Sequence, residues 1–316
     1  MNWLTKKLDR IKPRIKNLFK IKVGPEGVLW KNCKCGAVLY KEDLKTNLYV
    51  CSKCNNHHHI EPKERFAIFF DEGQYQEISP MLPAIDDPLL FPAEKSYVKK
   101  LKEAREKTGQ HDAVMVATGK VNNVYLVSAA FNFKFLGGSV GRAAGEAIIT
   151  GAEFAYSNKI PYVVFFQSGG MRMYEGAYSL ANMSRMIAGV NSVKQANLPF
   201  ISVCVDPCYG GTTASIAMLG DINIAEVGAR IGFSGRDIIK STIREELSAE
   251  FQSASYIFEK GQLDIVAERK DLRKIISTIL LQMTNKNKTF LSDSQIINDQ
   301  LQSPLGSINP PTGITS

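Results

Sequence analysis

Three apolar runs in this chain, beginning at Val124, Tyr162 and Phe200, each lead through a glycine-bearing loop into a segment of different texture, and their starts lie 38 residues apart. A strand–loop–helix unit repeated at a fixed period cannot bury its apolar strand alone. It must stack against its copies, which restricts the fold to an α/β architecture of repeated turns. The first unit reads VYLVSAAF, FKFLGGSVG, RAAGEAIITGAEFAY; the second joins YVVFF through QSGGMRM to a helical run; the third joins FISVCV through DPCYGGTTAS to what is expected to be another helix. Ala143, Ala144, Gly145, Ala147, Gly151, Ala152 and Ala155 are small, so the first helix is expected to lie close against a sheet.

The loops are the candidate chemistry. None carries a G-x-S-x-G nucleophile elbow, a G-x-G-x-x-G dinucleotide fingerprint or a G-x-x-x-x-G-K-[ST] phosphate loop. A Gly-Gly pair between a strand end and a helix start can turn consecutive N–H groups toward one point, where a helix N-terminus adds partial positive charge. One such pair is commonly a packing device, but here Ser168-Gly169-Gly170 and Tyr209-Gly210-Gly211 share one construction and Gly137-Gly138 forms a third. All four histidines, His57, His58, His59 and His111, fall outside these loops, so a Ser-His-Asp arrangement is not signalled. The chemistry expected is therefore a reaction through an oxygen-centred anion such as an enolate, stabilised by backbone, with the proton acceptor brought by a substrate or cofactor. Arg172 and Glu175 follow the second loop three residues apart, and they either pair with each other or leave Arg172 to steer an anionic group.

The flanks differ in character from this core. Residues 1–24 form a basic leader in which Lys6, Lys7, Arg10, Lys12, Arg14, Lys16, Lys20 and Lys22 face a single Asp9, within a net charge of +8. Such an arm is a solvated face or a contact for nucleic acid, an acidic subunit or coenzyme phosphates. Residues 25–60 hold four of the six cysteines, and that crowding points to metal more than to disulfides in a reducing compartment. Residues 61–117 connect this module to the repeat, and the tail from 286 to 316 is rich in Asn, Gln, Ser and Pro. No apolar run approaches the roughly 18 residues of a membrane span, and the lysine-rich start has no secretory h-region, so a cytoplasmic location is expected.

Taken in order, GVLWKNCKCGAVLY, VCSKC, FLGGSVG, QSGGMRM, DPCYGGTTASIAMLGDINIAE and RIGFSG make the chain resemble the β subunit of the bacterial multisubunit acetyl-CoA carboxylase carboxyltransferase, over about residues 1–285. The resemblance implies a crotonase-like fold of ββα turns over residues 61–285, preceded by a zinc-ribbon-like module. It implies transfer of a carboxyl group from carboxybiotin to acetyl-CoA, giving malonyl-CoA for fatty-acid synthesis. It also implies an α subunit in an α2β2 assembly, a biotin carboxyl carrier protein and biotin carboxylase as partners in an ATP-dependent complex. Carried onto this chain, Gly169, Gly170, Gly210 and Gly211 become the backbone donors of the oxyanion holes, with Gly137, Gly138 and Arg172 assigned to substrate binding. The ureido group left on biotin would accept the methyl proton, so the protein would need no base. A carboxyltransferase for another acyl-CoA shares every motif, and a nucleic-acid-binding role for ribbon and leader stands as a reading from another class.

Three departures accompany the resemblance. Arg236-Asp237 stands where Pro-Arg is usual, Ser248-Ala249-Glu250 replaces a common Pro-Pro-Gly, and the first cysteine pair is Cys33-Lys34-Cys35, one residue short of C-x-x-C. Sulfurs around one zinc lie about 3.8 Å apart, given Zn–S near 2.3 Å, whereas residues i and i+2 of an extended strand are roughly 6.7 Å apart. The set Cys33, Cys35, Cys51 and Cys54 is therefore expected to hold zinc only if the chain turns sharply at Lys34. Otherwise one of His57, His58 or His59 is the fourth ligand, or no metal binds.

Overall fold

The computed structural model describes residues 29–244 and 246–284; the basic leader and the polar tail lie outside the described residues. The chain divides into two compact units between His58 and His59.

In the first unit, β1 (Trp30–Asn32) pairs antiparallel with β2 (Val38–Tyr40), and α1 (Lys41–Thr46) follows directly. The turn between the strands is tight: the Gly36 N–H donates to the Cys33 carbonyl at 3.0 Å and the Cys33 N–H to Ala37 at 2.8 Å. Gly36 sits at φ +85°, a conformation that disfavours any side chain.

The second unit begins with α2 (Pro62–Phe69), β3 (Tyr75–Ile78) and α3 (Tyr97–Thr108). Ser96 caps α3 by accepting the Lys99 N–H, and Gly109 ends it in the left-handed conformation. The repeat then supplies β4 (Val114–Val121), β5 (Val124–Phe131), α4 (Arg142–Asn158), β6 (Tyr162–Ser168), α5 (Gly176–Gln195) and β7 (Phe200–Tyr209). It closes with β8 (Ile222–Glu226), β9 (Ile231–Gly232), α6 (Arg236–Ile243), α7 (Ala254–Glu259), β10 (Ile265–Ala267) and α8 (Leu272–Met283). The strands form one sheet in the order β10-β8-β7-β6-β5-β4-β3, with β9 added beside β7. β3, β4 and β5 run antiparallel, and β5 through β8 and β10 run parallel.

Alternation along the strands places two cores on opposite faces of the sheet. Val116, Val127, Val164 and Cys204 face α3, α4 and α5, whereas Met115, Leu126, Val163 and Ile201 face α2 and α8. The small residues of α4 meet the expectation of close approach: a Cβ on Gly145 would lie 2.7 Å from the Asn182 side chain of α5, and one on Gly151 would lie 2.6 Å from the Tyr162 hydroxyl.

One expectation fails. The third glycine loop leads to turns and the 3₁₀ segment Ile216–Met218, not to a helix, because β8 begins at Ile222 and leaves no room for one. The second helix also starts late, at Gly176, five residues beyond Met171. The helix dipole is therefore not delivered directly onto either Gly-Gly pair.

Candidate active site

Because β5, β6 and β7 are parallel neighbours, their carboxyl ends bring the three glycine loops side by side, the usual position of a site in an open α/β sheet. The Gly169 N–H donates to the Gly137 carbonyl at 2.9 Å. A Cβ on Gly210 would lie 2.9 Å from the Gly170 Cα, so the second and third loops touch backbone to backbone. Gly138 is pressed under the second strand, where an added Cβ would come within 2.1 Å of the Gln167 carbonyl.

This stacking decides which amides remain available. Gly169 donates to Gly137, Gly170 to the Ser168 Oγ at 3.0 Å, and Gly210 to the Phe233 carbonyl at 2.9 Å. Three of the four expected donors are thus engaged within the protein, and only Gly211 of that set is left. The Ala214 N–H donates back to the Gly210 carbonyl, making residues 211–214 one helical turn. Among the described residues, the N–H groups of Gly211, Thr212 and Thr213 have no acceptor, as the opening amides of such a turn characteristically do. The unengaged donors thus lie two residues further along the chain than the Gly-Gly pattern implies.

Arg172 is likewise corrected. Its side chain is 1% exposed and forms two parallel bonds to Asp112, at 2.7 and 2.6 Å, with further bonds to the Ser139 carbonyl and the Tyr97 hydroxyl. Burial draws the guanidinium down, but Asp112 outweighs it and holds Arg172 more firmly protonated than usual. The guanidinium is thus held inside the protein's own network, where it ties the second loop to Asp112 and Ser139. Glu175 completes the network: it accepts from Tyr97, approaches Arg172 at 3.5 Å and takes the Arg142 N–H at 2.6 Å, so the N-terminus of α4 is capped from within. At the end of β7, Asp206 pairs bidentately with Arg230, its carbonyl accepts from Gln167, and the Gln167 amide meets His59 at 2.6 Å. Ser168 is fully buried, with its hydroxyl committed to Gly170 and Thr212, which removes it as a nucleophile.

In the first unit the sulfurs of Cys33, Cys35, Cys51 and Cys54 all lie within 4.8 Å of one another, with Cys33–Cys54 at 3.6 Å and Cys35–Cys51 at 3.9 Å. Those separations match the roughly 3.8 Å of a tetrahedral thiolate site. The turn at Lys34 required by the short first pair is present. Among the described residues the cluster consists of the four cysteines without a histidine. Burial raises the Cys51 thiol, but the N–H groups of Lys53 and Cys54 prevail and bring it down to about 7. Cys54 gains from the Asn56 N–H, yet the neighbouring thiols push it up to about 12. A second thiolate is disfavoured beside the first unless a cation shares the site.

Residues 85–311 match the carboxyl transferase domain family. A protein of Pelagibacter ubique (strain HTCC1062) called acetyl-coenzyme A carboxylase carboxyl transferase subunit beta is 42% identical over 295 residues, covering 92% of this chain and 94% of that protein. The protein of the same name from Liberibacter asiaticus (strain psy62) is 42% identical over 285 residues, covering 90% and 99%. This chain belongs to the family of acetyl-coenzyme A carboxylase carboxyl transferase beta subunits. Among solved structures, the carboxyl transferase resembles a transcarboxylase 12S core with methylmalonyl-coenzyme A bound, at a TM-score of 0.56 and 22% identity, covering 76% of this chain and 42% of that one. The P. aeruginosa geranyl-CoA carboxylase beta subunit gives 0.54 at 18% identity, covering 75% and 42%. At these identities the likeness shows the fold, which is crotonase-like.

Several residues of this beta subunit escaped the sequence reading: Asp112, Tyr97 and Ser139 around Arg172, and Thr212 and Thr213 beside Gly211. The TTAS that follows Gly211 carried a usable signal, since Thr and Ser readily form turns with free first amides. Asp112 carried none, because its partner is 60 residues away.

Proposed function

We propose that this beta subunit transfers the carboxyl group of carboxybiotin, presented on a biotin carboxyl carrier protein, to acetyl-CoA, giving malonyl-CoA for fatty-acid synthesis. The observation that carries the reading is the run of three amides without acceptors at the third glycine loop, in a chain 42% identical to proteins named for this reaction. In the transfer the methyl C–H bond of the thioester breaks, the N–carboxyl bond of the donor breaks, and a C–C bond joins methyl carbon to carboxyl carbon. The ureido nitrogen of the donor takes the proton. The donor thus supplies both the carboxyl group and the base, which accords with glycine loops that carry no histidine and whose one carboxylate, Asp206, is paired with Arg230.

As the methyl proton leaves, negative charge gathers on the thioester oxygen. Gly211, Thr212 and Thr213 offer it preorganised N–H donors, and one such donor is worth roughly 3–4 kcal/mol in a transition state. In this reading Gly210 sets the turn through its positive φ, and the Gly169-Gly170 and Gly137-Gly138 loops are the wall against which it is held. A second hole, for the ureido oxygen, is assigned to the glycine loops of an α subunit within an α2β2 assembly that works with biotin carboxylase in the cytoplasm. Among the described residues no helix is long and apolar enough to cross a membrane.

The four cysteines would hold a zinc ion, and with all four positions filled by sulfur the ion would serve the ribbon's fold and leave no place for a reacting group. The test mixes purified chain, α subunit, acetyl-CoA and carboxybiotin on its carrier. Malonyl-CoA is expected from the mixture and negligibly from this chain alone. Brisk formation by the chain alone, or none by the mixture, overturns the proposal.

A further inference from the structure

We infer that Ser168 and Thr212 act as a hydroxyl clamp that sets the orientation of the donor amides, as positioning residues for the transfer; the inference rests on the third loop being the oxyanion site. Ser168 ends β6 and Thr212 lies in the turn after β7, 44 residues away, and neither has any exposed surface. Their hydroxyl oxygens are 2.9 Å apart. Each hydroxyl has one proton to give and lone pairs to receive with. If Thr212 donates to Ser168, then Ser168 accepts both that proton and the Gly170 N–H at 3.0 Å, and donates onward to the Gly170 carbonyl at 3.4 Å. The reverse direction would leave the Thr212 proton with no acceptor among the described residues, an unfavourable state in a fully buried position.

The chain of bonds spans all three loops. The Gly170 carbonyl also receives the Val140 N–H at 2.9 Å, so the first loop, the second loop and Thr212 are joined through one peptide. Thr212 is at the same time the middle member of the three free amides. Releasing its side chain removes the restraint that ties this turn to the second loop and loosens the Gly170–Gly210 backbone contact that sets the start of the turn. The peptides of the turn are then held only from within it, by the Ser215 hydroxyl on the Gly211 carbonyl at 2.6 Å and the Ala217 N–H on the Thr212 carbonyl at 3.1 Å.

The test uses the full chain reconstituted with its α subunit, as wild type, Thr212→Val, Thr212→Ser and Ser168→Ala. Thr212→Val keeps the shape of the side chain and removes the hydroxyl. It should lower kcat about 10- to 100-fold, the scale of a small misplacement of catalytic groups, with KM within about twofold and the thermal midpoint little moved. Thr212→Ser restores the hydroxyl and should recover most of the loss. Hydrogen exchange at the Gly170 amide gives a readout independent of activity: Ser168→Ala and Thr212→Val should both accelerate it by about tenfold or more, and Thr212→Ser should not. Wild-type kcat or unchanged exchange in Thr212→Val, or a failure of Thr212→Ser to recover, overturns the clamp. If the wild-type enzyme transfers no carboxyl group, it is the functional reading that falls, and the clamp then stands or falls on the exchange rates alone.

Discussion

Among the glycines, a Cβ meets very different surroundings. On Gly210 it would meet the Gly170 Cα at 2.9 Å and the Gly169 carbonyl at 3.1 Å, all rigid backbone, and the residue sits at φ +68°. Gly137 has an equally positive φ, +69°, but nothing within 4 Å of an added Cβ. Gly210→Ala is therefore expected to force the second and third loops apart and to lower carboxyl transfer 100-fold or more in a chain that still folds. Gly137→Ala should cost only the left-handed strain of about 1–2 kcal/mol, with turnover near normal. Steady-state rates beside thermal unfolding check both, and equal losses in the two variants would show that strain alone, not the loop contact, governs activity. Asp112 makes a further case: removing it leaves the Arg172 charge buried without its main partner. Asp112→Ala should lower stability by about 3–5 kcal/mol, measured by urea unfolding.

The β4–β5 hairpin turns on Asn122 and Asn123, at φ 49° and 63°, a two-residue loop of the kind whose twist suits antiparallel strands. Asp71, far upstream, accepts both of their N–H groups at 2.8 and 2.9 Å and is joined by Arg273 of α8 at 2.5 Å, so one carboxylate ties hairpin, sheet edge and α8. Burial pushes the Asp71 carboxyl up, but the Asn123 and Asn122 N–H groups and Arg273 outweigh it and hold it below its ordinary value. A carboxyl lowered in the folded state stabilises fully above its unfolded pKa of about 4 and loses that contribution as pH falls through the folded value. Asp71→Asn should therefore destabilise by about 1–3 kcal/mol at pH 7, with the gap to wild type closing below about pH 4. Urea titrations across that range check the sign; a gap that widened in acid would contradict it. On the same face, Arg65 and Arg269 close on Glu226 in a buried triad that links α2, β8 and the segment after β10.

Across the whole molecule, the two units divide the work between a cysteine cluster and a sheet. Among the described residues the ribbon has two short strands and a single fully packed helix residue, Leu44, so a bound ion would supply much of its folding energy. One zinc per chain is expected by metal analysis. It should be lost or greatly weakened in Cys33→Ser and retained when His57, His58 and His59 are together replaced by alanine. Retention in Cys33→Ser with loss in the histidine variant would reverse the assignment of ligands.

What could be read from the sequence alone was what neighbours along the chain decide. The three strands begin at Val124, Tyr162 and Phe200 where the apolar runs begin, and α4 starts at Arg142 where the small-residue stretch starts, because apolar period and glycine punctuation act over a few residues. The family was legible for the same reason, since its motifs are short and ordered. Tertiary structure alone decided which amides stay free. Gly169 and Gly210 lose theirs to Gly137 and Phe233, and Arg172 is claimed by Asp112 from 60 residues away. It also bent the chain at Lys34 so that a pair an extended strand would hold too far apart could face one centre. A hydrogen bond forms with whatever acceptor the packed sheet brings within 3 Å, and residue spacing along one loop carries no record of what two neighbouring loops will bring to it.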